Sequence, residues 1–533
     1  MLKKLLLATI LLCSAYNCGP KPCFAEDFSS MGATNTMESF TIGDEKTINL
    51  NKTQSFEKLI NLNENNDFSH ILSATDRFVQ CNIKASWDDF KALINATEAN
   101  DFDYLTIANK MADMGLFDLA SLATSKIQDK ETNKISIDAM KKFYYPRKKL
   151  KLEDELTLAE IYSNILYNDQ SAEATNELLK NTNLLATSDY ANYLVSLGSY
   201  KSNMYSRASK YINIAIIQNP SNLNYKKLRA EIFAEENKPE QAMKIVAELK
   251  KQKIYSYQYE RKIDSLEQYV LYKTKKAEWE KNYHLGFYHH LENDDSKAIR
   301  TLQSALTHAN KKNNSALVYS LMSELYLNLD ETDKASECAQ KAYKINKNDP
   351  RTLTSLGDLS YNSKNYTKAL CYYKQASSQG KNSYTSFIKE AQTYQKLGNS
   401  KKAKEIYLKV LKTHPEAYPA YYNLALLENA SAPLQEVSYL KKALAINPLF
   451  SDGWLELAKV EVDRANYTAA KKYLSNAFFI DENDFRYYYY NGLANKGLGD
   501  YNQAQYDFKK CLKINTKCKE AQVELQQTFN VNL

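Results

Sequence analysis

The chain is expected to be all-α, a solenoid of stacked helical hairpins. Two observations carry this. Trp454, Ala458, Tyr467, Ala470 and Ala477 are echoed 34 residues later by Tyr488, Gly492, Tyr501, Ala504 and Cys511. A period in that range marks a supersecondary unit that cannot bury its own apolar face and must lean on its neighbours. In addition, only 13 Gly and 10 Pro occur in 533 residues. That leaves few punctuators for a many-stranded sheet and suits helices joined by short polar turns. The chain is also longer than a single core usually grows, which an extended array accommodates.

Taken in order, Met1 to Ala15 begins with Lys3 and Lys4 and continues as an apolar run, Leu5 to Cys13, broken only by Thr9. This reads as a secretory signal, too short to span a bilayer, with a cleavage point after Ala25 preceded by Cys23-Phe24-Ala25. The domain scheme therefore begins with a signal over 1–25 and places the mature protein in the periplasm or outside the cell. Lipidation at Cys13 or Cys18 is the competing reading. The flanks Ile10-Leu11-Leu12 and Ala15-Tyr16-Asn17 do not resemble a lipoprotein signal. Membrane contact is expected only if the signal is retained or lipidated. Cleavage would remove Lys3, Lys4 and Lys21 and no acid, taking the formal charge from +7 to +4. For this size that is nearly neutral, and the lysines are spread along helix faces, so nucleic acid is not an expected partner.

Residues 26–84 are polar and rich in Asn, Ser and Thr, and are read as largely irregular; the alternative is an arm docked along the solenoid through Phe56, Leu59, Ile60 and Leu62 in a short helix. From 85 to 254 degenerate hairpins are expected. Tyr104, Ile107, Ala108 and Met111 lead to a turn at Gly115 and on to Phe117, Ala120 and Ile127. Tyr205, Ala208, Ile212, Ala215 and Pro220 mark a later one. Between them the basic, aromatic run Lys141 to Lys149 contains Pro146, which should end a helix, and it reads as a surface linker. A long helix over 255–280 connects to the second block, with Tyr259, Ile263, Leu266 and Val270 on its apolar side.

From 281 to 516 the register is nearly unbroken, giving about seven repeats. Ala298, Ala335, Ala369, Ala403, Ala470 and Ala504 are spaced 37, 34, 34, 67 and 34 apart, the irregularities falling in turns. Small residues such as Gly357, Ala391 and Ala403 let helices approach, while Tyr366, Tyr373, Phe387 and Tyr394 fill the volume beside them. Residues 517–533 continue as an amphipathic capping helix with Ala521, Leu525 and Phe529 on one side.

The pattern resembles the tetratricopeptide repeat family, well over 281–516 and loosely over 101–250. The family's large, small, aromatic, small and small places hold Phe387, Ala391, Tyr394, Ala403 and Val410 in one unit. In the next but one they hold Trp454, Ala458, Glu461, Ala470 and Ala477, of which Glu461 departs from the pattern. The resemblance implies a right-handed α-solenoid whose first helices line a concave groove for a protein or peptide partner. Places matching that lining are Tyr283, Phe287, Tyr361, Tyr422 and Tyr489. Beside them lie Glu324, Asp358, Asn362, Gln392, Lys396, Asn429, Lys459, Arg486 and Lys496. Tyrosine suits such a surface, combining large apolar area with one hydroxyl. The Lys and Asn pair with which some members clamp a terminal carboxylate is replaced here by Tyr283 and Phe287, or Thr354 and Asp358.

Catalysis is not expected, since no G-x-S-x-G, phosphate loop or H-E-x-x-H is present. No cofactor or metal is implied. The histidines are His70, His284, His289, His290, His308 and His414, without an H-x-x-x-H pair, and His289 falls at a packing place. After cleavage Cys81, Cys338, Cys371, Cys511 and Cys518 remain. A bond between Cys511 and Cys518 is left open, and no C-x-x-C occurs. The expected function is an exported, non-enzymatic scaffold in an envelope or secretion-related assembly. The alternatives are a helper subunit of an enzyme acting on protein or cell-wall substrates, or a carbohydrate-binding module.

Overall fold

The computed structural model describes residues 83–96, 99, 101–166, 170–252, 254–309, 311–379, 384–428, 433–481 and 483–529, together with 40–41, 47–48, 75 and 78. The expected signal sequence, His70, Cys81, Asn429 and most of segment 26–84 lie outside them. Within that segment Phe40–Thr41 (β1) and Thr47–Ile48 (β2) pair antiparallel, Phe40 opposite Ile48. Among the described residues the remaining regular structure is 27 helices, in agreement with the all-α solenoid expected. The residues group into two units. One comprises the chain up to Asp129 with Ile137–Glu236, the other Lys130–Ser136 with Asn237–Leu533.

Helices of the first unit are α1 (Ile83–Ala96), α2 (Asp101–Asp113), α3 (Phe117–Lys126), α4 (Lys130–Tyr144, its first half grouped with the second unit), α5 (Leu152–Leu166), α6 (Ser171–Lys180), α7 (Thr182–Thr187), α8 (Asp189–Lys201), α9 (Tyr205–Gln218) and α10 (Leu223–Glu235). The hairpin expected around Gly115 is α2 with α3. Gly115 sits at φ +82°, and a Cβ there would fall 2.2 Å from the Tyr190 ring. Tyr190 in turn donates its hydroxyl to the Asp113 carbonyl at 2.8 Å. Both the turn and the close approach thus require glycine.

The basic, aromatic run is not the surface linker its charge suggested. Phe143 and Tyr144 are buried, Tyr145 stacks obliquely on Phe117, and the Arg147 amide donates to Asp189. The lysines face water while the rings anchor the segment, the division that alternating charge and aromatic residues favour.

Helices of the second unit are α11 (Pro239–Lys250), α12 (Tyr257–Thr274), α13 (Glu278–Leu291), α14 (Asp295–Thr307), α15 (Lys312–Asn328), α16 (Thr332–Ile345), α17 (Pro350–Asn362), α18 (Tyr366–Ser378), α19 (Tyr384–Lys396), α20 (Ser400–Thr413), α21 (Tyr418–Glu428), α22 (Pro433–Ile446), α23 (Ser451–Asp463), α24 (Tyr467–Ile480), α25 (Phe485–Gly497), α26 (Tyr501–Ile514) and α27 (Lys519–Phe529). The long helix read over 255–280 is α12, which ends at Thr274 and packs on α13. Successive pairs from α13–α14 to α25–α26 are hairpins. Their cores hold residues the repeat pattern names, Ala391, Ala403 and Val410 in one and Tyr488, Ala504 and Cys511 in another, joined by Tyr407 and Phe508, which it does not name. The final helix α27 closes the last core with Ala521 and Leu525, as a cap should.

Where it is described, the turn inside the hairpins repeats as strictly as the core. Asn293, Asp330, Lys364, Gly398, Ala465 and Gly499 all adopt φ between +58° and +85°. Their spacings are those of the second-helix alanines, five residues further on. The residue after each of these left-handed positions stands at the N-cap of the second helix, and in four of the six its side chain caps it. Asp294, Asn365, Asn399 and Asp500 accept from amides three residues ahead.

Candidate functional site

In the second unit the first helices of the hairpins pack side by side in one layer, α15 against α17 and α23 against α25. The described residues expected to line a groove lie on this layer, and most are tied to the neighbouring first helix. Arg351 of α17 spans three helices. Its Nη1 donates to the Tyr283 hydroxyl at 3.1 Å, its Nε meets Glu324 at 3.1 Å, and its guanidinium lies 4.9 Å from the Phe287 ring centre. Asp358 accepts from Tyr373 at 2.6 Å and pairs with Lys389 of α19 at 2.9 Å. Gln392 donates to Asn423 of α21, Arg486 of α25 reaches Asp452 of α23 at 2.7 Å, and Lys496 reaches Glu524 of α27 at 2.8 Å.

Periodicity could not show these pairings, because they depend on side-chain length and on the twist between repeats. Lys459 is held by Glu456 on its own helix. Tyr361 meets Tyr366 edge-on, whereas Asn362 and Lys396 stand exposed at helix ends with no partner among the described residues.

The aromatic residues divide. Tyr422 meets Phe450 edge-on at 4.9 Å, Phe450 meets Tyr418 at 5.1 Å, and Tyr418 meets Tyr257 of α12 at 5.3 Å. Tyr489 turns toward the core and lies against Phe508. Its neighbour Tyr490, which the repeat frame did not single out, faces Glu456, Asp463, Arg486 and Glu520. Burial first and then Glu456 push its hydroxyl up to about 12. Tyr422 faces Asp452, Glu456, Arg486 and Tyr490, and burial raises it as well. Tyr490 lies four residues after Arg486 on one stripe of α25, the signal that would have found it.

On α12, Glu260 is pushed up to about 7 by burial and then by Glu416 and Asp264. Among the described residues no group of three His, Cys, Asp or Glu is placed to hold a metal ion, and no helix is long and apolar enough to cross a membrane. The histidines are engaged singly, His284 with Gln268, His290 with Asp295 and His414 with Glu416.

The family profile described as tetratricopeptide repeat matches residues 316–349, 384–416 and 485–518, three of the hairpin units described above. Those three units are tetratricopeptide repeats. Human protein O-mannosyl-transferase TMTC3 is 25% identical over 197 residues, which cover 34% of this chain and 22% of that protein. The match thus spans about a fifth of the relative's length. A solved tetratricopeptide repeat protein from Parabacteroides merdae is 16% identical with a TM-score of 0.37, covering 48% of this repeat protein and 100% of that chain. In the Cut9–Hcn1 hetero-tetramer of APC/C the corresponding values are 13%, 0.37, 82% and 98%. PilW, a widely conserved type IV pilus biogenesis factor, gives 18%, 0.31, 47% and 100%.

Proposed function

We propose that this repeat protein is an exported, non-enzymatic scaffold whose first-helix layer over 281–516 receives an extended segment of a protein partner. The observation that carries this reading is the shared lining of Tyr422 and Tyr490. On α21 and α25 the two half-buried rings lie within the electrostatic reach of the same Glu456 and Arg486, offering aromatic area and hydroxyls where the face is otherwise stitched to itself. A photo-crosslinking residue placed at 422 or 490 should trap a partner from native envelope extract, and one at exposed Lys409 of α20 should not. Equal adducts from all three positions would overturn the reading. Export, and with it a place in an envelope or secretion assembly, rests on the first 25 residues. Mass analysis of the mature chain should begin at Glu26, and a diacylated cysteine would replace that expectation.

A second reading, that the repeats serve a protein-modifying enzyme, is favoured by the partial match to an O-mannosyl-transferase. Mannosyl transfer activity co-purifying with the trapped partner would support it.

A further inference from the structure

The charges around Tyr422 and Tyr490 are unbalanced. The local cations are already engaged: Arg486 with Asp452 and Asp484, Lys459 with Glu456, and Arg464 with Glu461. Asp463 has no cation in bonding distance among the described residues. It lies at the C-terminal end of α23, where the helix dipole disfavours negative charge. Behind it Glu436 of α22 is only 2% exposed and its Oε1 has no hydrogen-bond partner among the described residues. Glu456 and Asp463 act against its charge while Lys459 and Arg464, both already paired, favour it, so a buried acid whose Oε1 is unpartnered stands behind an acidic lining. Such a carboxyl is costly unless positive charge reaches it. Glu520 adds a further acid facing Tyr490.

We propose that the segment received here is basic, and that a lysine or arginine side chain of the partner seats beside Tyr422 and Tyr490 with its charge toward Glu456, Asp463 and Glu436. The inference rests on the segment-binding reading above. Tyrosine faces attract a cation and the carboxylates neutralise it, whereas an acidic segment meets repulsion from several acids at once.

Three labelled extended peptides of equal length, built from Lys, Glu or Gln alternating with Ser and Gly, test it by fluorescence anisotropy with the full chain. The Lys peptide should bind best. Its affinity should fall about tenfold or more on Asp463→Lys, the loss of one charge-assisted contact and its replacement by repulsion. Asp463 is exposed and lysine suits a helix C-terminus, so this variant should fold, and Glu436→Gln should weaken binding in the same direction. Glu337→Gln on α16, where Glu337 pairs with Lys341 on an exposed face, should leave binding unchanged. Equal or tighter binding of the Glu or Gln peptide, binding by none of the three, or indifference to Asp463→Lys overturns the proposal. If the Gln peptide binds and Tyr422→Ala with Tyr490→Ala removes it, the segment-binding face stands and only the basic partner falls.

Discussion

Arg351 and Tyr283 stand on first helices two repeats apart and share a hydrogen bond of 3.1 Å, with Glu324 of the intervening helix on the same guanidinium. A planar group with several donors can serve both at once and still lie over Phe287, which an ammonium cannot do. Arg351→Ala should therefore lower stability by about 1–2 kcal/mol, and Arg351→Lys should recover only part of it. Urea unfolding followed by circular dichroism measures both. Equal loss in the two variants would show that charge alone is dispensable here.

Gly357 gives the sharpest packing prediction. A Cβ at this position would lie 2.3 Å from Tyr373 Cε1. The ring cannot move aside, since it is fully buried and its hydroxyl is fixed to Asp358 at 2.6 Å. Alanine improves helix propensity by about 1 kcal/mol, but overpacking costs about 1–3 kcal/mol, and with the ring pinned the clash should win. Gly357→Ala is expected to unfold at lower denaturant than the parent. A stabilised variant would mean that the hairpin can spread without loss.

Exposed turns offer the opposite effect. Ala465 adopts φ +59° and Lys364 +60°, at places where the equivalent turns carry Gly398 and Gly499. The left-handed conformation costs a residue with a Cβ about 1–2 kcal/mol, and glycine's extra unfolded-state entropy offsets about half of that. Ala465→Gly and Lys364→Gly should each stabilise the chain by about 0.5–1 kcal/mol, read as a shift in the urea midpoint.

These turns also show why the sequence reveals some features and hides others. The hairpin cores were legible because a small residue facing a large one, as Gly357 faces Tyr373, is written into the 34-residue period. The left-handed turn has the same spacing, yet of its six described residues within 281–516 only two are glycine, so a search for glycine misses it. The lining was harder still. Tyr489 and Tyr490 are adjacent, and one step of about 100° along a helix separates a ring against Phe508 from one facing Glu456. Arg351, Lys389 and Asp452 became visible only when neighbouring first helices were brought together. In the first unit Phe143 and Tyr144 are core despite their basic neighbours, because the charged stems flank the rings rather than replace them.

The thiols should react unequally. Among the described cysteines Cys371 is exposed, whereas Cys338, Cys511 and Cys518 are buried free thiols. Burial pushes the Cys338 thiol up to about 11, and burial with Cys518 alongside raises Cys511. Since the thiolate is the nucleophile, maleimide labelling of the native chain should modify Cys371 first and the other three only on unfolding. Peptide mass mapping after a short pulse checks this, and early modification of Cys511 would mean that the last hairpin opens readily.

Glu155 makes the stability of the first unit depend on pH. Its carboxyl is buried at the N-terminus of α3, where the Asp118 amide donates to Oε2 at 3.1 Å and Oε1 has no partner among the described residues. Burial pushes it up to about 7, opposed by the Asp118 and Phe117 amides and by Lys149, and reinforced by the Asp118 charge. Because the folded value lies above the unfolded one, the folded state holds the proton more tightly. The stability this contributes is complete below about pH 4.3, the ordinary glutamate range, and is lost as pH rises through about 7. Glu155→Gln keeps a carbonyl oxygen for the amides and cannot ionise. It should therefore flatten the fall in stability between about pH 5 and 8 and make the variant the more stable of the two at the upper end. Thermal unfolding across that range measures the difference. A parent and variant with parallel pH profiles would show that Glu155 remains ionised in the folded chain, its charge held by the helix amides and Lys149.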